Sequence, residues 1–133
     1  MRTCLNEYLR SLSGFRCLGS VDDSTIESAE QKLGVTFSTE YIKYIKTFGI
    51  VSFQGHELTG ICKSKGMNVV DVTLFARDLY ENVEELYVVE DTHIEGEMIW
   101  QNADGVIFRS FPNGKPEKVA DSLLLYLKQL NNN

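Results

Sequence analysis

The sequence predicts an α+β fold in which a mixed or antiparallel twisted sheet of about five to six strands is packed by N-terminal and C-terminal helices. Three observations predict it. Apolar residues recur at helical spacing as far as Phe48, the period shortens to that of strands after Gly49, and helical spacing returns near the C-terminus. The 133 residues contain no internal repeat and no linker long enough to separate two cores, so residues 1–133 are expected to form a single domain.

The elements follow in order. Residues 3–12 carry Leu5, Leu9 and Leu12 on one helical face and stop at Ser13-Gly14. Residues 24–33 form a second helix, whose start reads as a capping box, Ser24-Thr25-Ile26-Glu27. Gly34 then supplies the left-handed position that ends it. Residues 38–48 form a third helix capped by Ser38, with Tyr41, Ile42, Ile45 and Phe48 on one face.

Beyond Gly49 the pieces are short. Residues 50–53 and 58–62 are expected to pair as a hairpin turning near Gln54-Gly55-His56. Residues 67–72 read as a strand leading into a helix over 72–81, and 86–89 as a β-prone run. Residues 98–101 and 106–111 flank Asn102-Ala103-Asp104-Gly105, a hairpin signal because Asp-Gly tolerates positive φ. A last helix is expected over 118–130, with Val119, Leu123, Tyr126, Leu127 and Leu130 as its apolar stripe, before a frayed tail from Asn131.

Composition removes several functions. Hydrophobic residues make up 43% and charged residues 24%, which is ordinary for a water-soluble protein, and no apolar run approaches the roughly 20 residues that span a bilayer. Met1 to Glu7 lacks the apolar block of a signal peptide, so a cytoplasmic location is expected. Cys4, Cys17 and Cys62 are odd in number and widely spaced, which fits small buried or half-buried thiols better than a disulfide framework. His56 and His93 lack the close ligand pairs of a metal site, and no cofactor is expected. The Gly55 to Gly60 spacing lacks the Lys-Ser/Thr of a phosphate loop.

Charge is distributed unevenly. Between residues 78 and 108 stand nine acidic residues and no lysine or arginine, in a chain of net charge −6. Such a block repels nucleic acid and attracts a basic protein, and with no spanning segment no membrane partner is expected. The surface expected to bind a partner comprises Glu81, Glu84, Glu85, Glu90, Asp91, Glu95 and Glu97, with Trp100 as its aromatic anchor should it, rather than Ile99, face outward. Tyr41, Tyr44, Phe48, Phe108 and Tyr126 are expected in the core.

The order Ile26, Ala29-Glu30, Leu33-Gly34, Phe37, Tyr41-Ile42, Phe48-Gly49, Glu57-Leu58 and Gly60 resembles the SUKH superfamily, named in part for the yeast Smi and Knr cell-wall regulators. Later matches are Leu86-Tyr87-Val88-Val89-Glu90-Asp91, Ile99-Trp100, Asn102, Gly105 and Ala120-Asp121-Ser122. Ser38 and Thr39 stand where the family usually has a proline. The resemblance implies a bacterial immunity protein that binds and neutralises a cognate toxin, a nuclease domain above all, without chemistry, and as a monomer or weak homodimer. A nuclease cleft must be basic to hold phosphates, which suits an acidic inhibitor. The alternative implied by the same resemblance is a regulatory scaffold of the cell-wall type, although those relatives carry long flanks around the domain. An enzyme is the third reading. Cys62 and His56 are its conceivable nucleophile and base, with no accompanying oxyanion motif.

Overall fold

The computed structural model describes residues 4–131. Its elements are α1 (Leu5–Ser11), β1 (Arg16–Cys17), α2 (Asp23–Leu33), α3 (Thr39–Phe48), β2 (Val51–Phe53), β3 (His56–Glu57), α4 (Val69–Arg77), β4 (Tyr87–Asp91), β5 (Met98–Gln101), β6 (Ile107–Ser110), β7 (Glu117–Ala120) and α5 (Leu123–Asn131). The α+β class is as expected. The strands, however, form two antiparallel sheets, ordered β1-β2-β3 and β4-β5-β6-β7. A single bridge, Leu58 to Glu90, joins them, reinforced by the Thr59 amide donating to the Val89 carbonyl at 2.9 Å.

Several local expectations are corrected. Asp22, not Ser24, caps α2: its carboxylate accepts the Thr25 amide at 2.9 Å, and Ser24 donates its hydroxyl to the same oxygen. A carboxylate two residues earlier satisfies a free amide of the first turn and adds a favourable charge at the positive helix end. Gly34 takes φ 67° and Ser38 caps α3, both as expected. The hairpin after Gly49 turns one residue early, so its return strand is His56–Glu57, and residues 58–62 cross to other elements instead of pairing with β2 along their length.

Residues 67–68 form no strand, because the Asn68 side chain accepts the Val70 amide at 2.9 Å and starts α4 there. The expected helix from 118 begins instead as β7, placing Val119 in a strand, and α5 starts at Leu123. Two caps explain the late start. Glu40 accepts the Leu123 amide at 2.8 Å and the Leu124 amide at 3.1 Å, and the Ser122 hydroxyl accepts the Leu125 amide at 3.1 Å. Asn131 closes α5, while Thr3, Asn132 and Asn133 lie outside the described residues.

The second sheet is covered on both faces. Alternate residues along its strands enter different cores: Tyr87, Val89, Ile99 and Ile107 join the large core with α1, α2, α3 and α5, whereas Val88, Met98 and Trp100 join a smaller one with Ala76, Tyr80, Val83 and Leu86. Helix α4 serves both, through Val69 at its start and Ala76 near its end.

Polar groups tie the large core together. The Tyr41 hydroxyl meets the Thr59 hydroxyl at 2.9 Å, and the Tyr44 hydroxyl donates to the Thr59 carbonyl at 2.8 Å. Tyr87 donates to Gln101 Oε1 at 2.8 Å and accepts the Ser38 amide at 2.9 Å. Every phenol so placed is satisfied, as burial demands.

Candidate partner-binding surface

The acidic block maps mainly onto loops. Helix α4 ends at Arg77, whose Nη2 donates to the Glu84 carbonyl at 3.1 Å and to the Leu86 carbonyl at 3.4 Å. One guanidinium thus folds residues 78–86 back over the sheet, and Glu81, Glu84 and Glu85 are left exposed on the outside. Burial lowers the tendency of Arg77 to hold its proton, yet an arginine remains charged in this range. The second acidic loop joins β4 to β5. There the Asp91 carboxylate accepts the His93 amide at 2.9 Å, and Glu95 is exposed.

The eight residues expected to bind a partner are not one cluster. Tyr87 pairs with Gln101 and Asp91 with Met98, so Glu84 and Glu85 precede one end of β4 while Asp91, Glu95 and Glu97 gather at the other. Glu85 lines a cleft of about 340 Å³ with Thr36 and Asp104. Glu81 belongs with the far group, because its neighbour Tyr80 donates a hydroxyl hydrogen bond to the Gly96 carbonyl.

Two expected contacts are withdrawn. Trp100 is 0% exposed, because α4 and the 79–86 loop cover the face that sequence reasoning left open, and its indole N–H donates to the Ser110 hydroxyl at 2.9 Å. Ile99 is buried on the opposite face, so neither residue faces outward. Glu90 is 2% exposed. Its carboxylate accepts from the Tyr126 hydroxyl at 2.9 Å and contacts His56 Nδ1 at 2.8 Å, which makes it a structural acceptor rather than a surface charge. Glu97 faces Arg109 at 3.8 Å, one residue past the cation-free block, and is partly neutralised.

Sequence reasoning also missed the His56, Glu90 and Tyr126 arrangement. Burial, followed by the Glu90 charge, raises the Tyr126 phenol well above its ordinary range, so it stays a donor. The signal available in the sequence was the acidic residue within the apolar run Tyr87-Val88-Val89-Glu90. His56 stacks on Phe53, and the Cys62 thiol donates to the Ser64 carbonyl at 3.3 Å, so each member of the conceivable Cys62 and His56 pair is engaged elsewhere. Cys4 and Cys17 are exposed and Cys62 half-buried, a wetter placement than expected for Cys4 and Cys17. Among the described residues no group of three His, Cys, Asp or Glu side chains is placed to hold a metal ion, and no helix is long and apolar enough to cross a membrane.

A family model, SUKH_6, described as SMI1-KNR4 cell-wall, matches residues 23–127. The chain belongs to the SUKH superfamily. No curated protein matches it significantly. The SUKH motif residues prove to be scaffold: Phe37, Tyr41 and Tyr87 stack edge-on or tilted at centroid distances of 4.8 to 5.1 Å. Gly60 is a point of close approach, where an added Cβ would stand 1.8 Å from the Gly49 carbonyl oxygen. In this SUKH chain the exposed carboxylates Glu81, Glu84, Glu85 and Glu95 lie in loops outside the motif segments.

Proposed function

We propose that this protein is an immunity protein that binds and neutralises a cognate toxin, a nuclease domain, through its acidic loops and without chemistry of its own. The observation that carries the reading is the exposure of Glu81, Glu84, Glu85 and Glu95 on loops whose carbonyls the Arg77 guanidinium and the Tyr80 hydroxyl hold. Membership in a superfamily whose bacterial members are largely immunity proteins supports it. The basic cleft of a nuclease supplies the complementary charge, and association is steered by it. The protein acts in the cytoplasm, where such a toxin meets its substrate, and binds neither nucleic acid nor membrane. Co-expression with the toxin encoded beside it tests this: the expected result is a co-purifying complex and a protected cell, and continued killing with no complex refutes it.

The family's description favours a second reading, a regulatory protein-interaction scaffold of the cell-wall type. Binding several unrelated partners with similar strength, instead of one toxin, distinguishes it.

A further inference from the structure

Helix α4 has two apolar stripes where a surface helix has one. Val69, Thr73 and Ala76 are buried, with Tyr80 following in the same register. The opposite side, at positions 71, 74 and 75 of α4 and at 78 and 79 in the turn that follows it, reads Asp-Leu-Phe-Asp-Leu, with Leu74 44%, Phe75 66% and Leu79 48% exposed. A helix apolar on both sides is ordinarily buried on both sides. The neighbouring loops extend the surface. Tyr80 bonds the Gly96 carbonyl and the Asn113 amide reaches the Leu79 carbonyl at 3.5 Å, which brings the loops bearing Ile94, 63% exposed, and Phe111, 44% exposed, to the end of α4. Of the other large exposed apolar residues among those described, Leu18 borders a separate cleft of about 720 Å³ with Cys17, Ile50 and Met67, and Leu125 lies on α5.

The rim decides the occupant. Asp71, Asp78, Glu81 and Glu95 are exposed around or along this ridge and take part in none of the ion pairs among the described residues. Of the cations near it in sequence, Arg77 is turned to the Glu84 and Leu86 carbonyls and Arg109 faces Glu97 and Glu117, which leaves Lys115 on the Phe111 loop against four carboxylates. Two copies meeting through this face would oppose carboxylate to carboxylate, and an anionic lipid surface would be repelled in the same way. We infer that the ridge of Leu74, Phe75, Leu79 and Ile94 is an anchor that docks an apolar hollow ringed by lysine or arginine on a partner protein. It takes the place of Trp100, which the fold buries, as the apolar centre of an acid-rimmed interface. The identity of that partner as the toxin rests on the immunity reading above; the chemistry of the surface does not.

Two arms test it. The first measures binding of the neighbouring toxin domain to the wild type, to a Phe75→Ser/Leu79→Ser variant and to a Glu84→Gln/Glu85→Gln variant, with thermal unfolding confirming that each folds. The ridge variant is expected to bind about thirtyfold more weakly or worse, and wild-type affinity in that variant overturns the inference. The second arm uses an amphipathic leucine-lysine peptide and its leucine-glutamate counterpart, mapped by amide chemical shifts. Binding of the lysine peptide alone, centred on α4 and lost with Phe75→Ser/Leu79→Ser, supports the ridge even if no toxin binds and the immunity reading falls. Shifts centred elsewhere, or a concentration-dependent dimer abolished by Phe75→Ser, overturn it.

Discussion

Glu40 and Leu123 stand 83 residues apart, yet the Leu123 amide donates to the Glu40 carboxylate at 2.8 Å. The same carboxylate accepts the Leu124 amide at 3.1 Å and the Gln101 side-chain amide at 2.9 Å, so one side chain on α3 starts α5 and orients β5. Replacing Glu40 with alanine removes a charged cap and leaves the buried Gln101 side-chain amide with the Gly105 carbonyl as its one remaining acceptor. The expected loss is about 2 kcal/mol, with Glu40→Gln intermediate. Chemical denaturation measures it; a loss as small as that of an exposed surface substitution would deny the cap its role.

Gly60→Ala is expected to destabilise by about 3 kcal/mol or more, because its methyl group would overlap the Gly49 carbonyl and neither backbone can retreat. Gly60 donates to the Met67 carbonyl at 3.1 Å and accepts the Val69 amide at 2.7 Å. Gly34→Ala, where the same atom meets open space at φ 67°, should cost only the left-handed strain, about 1 kcal/mol. Equal thermal shifts for the two variants would contradict the close approach.

Alkali should unfold the protein abruptly. Burial raises the phenols of Tyr41, Tyr44, Tyr87 and Tyr126 above their ordinary value near 10, Glu90 adding to the effect on Tyr126. Below that pH both folded and unfolded chains keep these protons, and the stability is fully present. Above it only the unfolded chain releases them, so stability falls by about 1.4 kcal/mol per pH unit for each phenol. Together they should exhaust a stability of about 10 kcal/mol within about two pH units. Tyrosinate absorbance and far-ultraviolet circular dichroism are expected to change together; tyrosinate appearing near pH 10 with native dichroism would refute the assignment.

The contact between His56 and Glu90 should prove strongly coupled. His56→Ala leaves a 2% exposed carboxylate with Tyr126 as its remaining side-chain partner and is expected to cost about 2 kcal/mol. In the Glu90→Gln background the same change should cost clearly less. Additivity in a double-mutant cycle would mean that the contact carries no energy of its own.

Charge reversal at Glu84 and Glu85 should slow toxin association about tenfold at low salt, with rates converging as salt screens the field. Reversal at Glu90 is a different experiment, since it buries a cation and should unfold the chain. A salt dependence unaltered in Glu84→Lys/Glu85→Lys would place the steering charges elsewhere.

How much was legible depended on whether the deciding partner was local. The αL glycine at Gly34, the Ser38 cap and the Asp104-Gly105 turn are settled within a few residues, and sequence placed them. The start of α5 is settled by Glu40 and the burial of Trp100 by α4 and the 79–86 loop, partners distant along the chain, and both escaped. Helix α4 was placed three residues late because residues 67–72 are β-prone, while a single Asn68 side chain overrides that preference. For the candidate surface, charge counting found the right loops but had no means of separating Glu90, which the sheet turns inward, from Glu84 and Glu85, which Arg77 leaves outside.

The two sheets meet at a single β-bridge, Leu58 to Glu90, beside which the Thr59 amide and hydroxyl donate to the Val89 and Val88 carbonyls. Parting it would leave every ladder within either sheet intact but would split the large core, to which Val51, Phe53 and Leu58 on one side and Tyr87, Val89 and Ile99 on the other all belong, so the sheets should separate only when that core opens. Amide exchange at Thr59 would then be slower than fraying at the ends and keep pace with the core amides of both sheets.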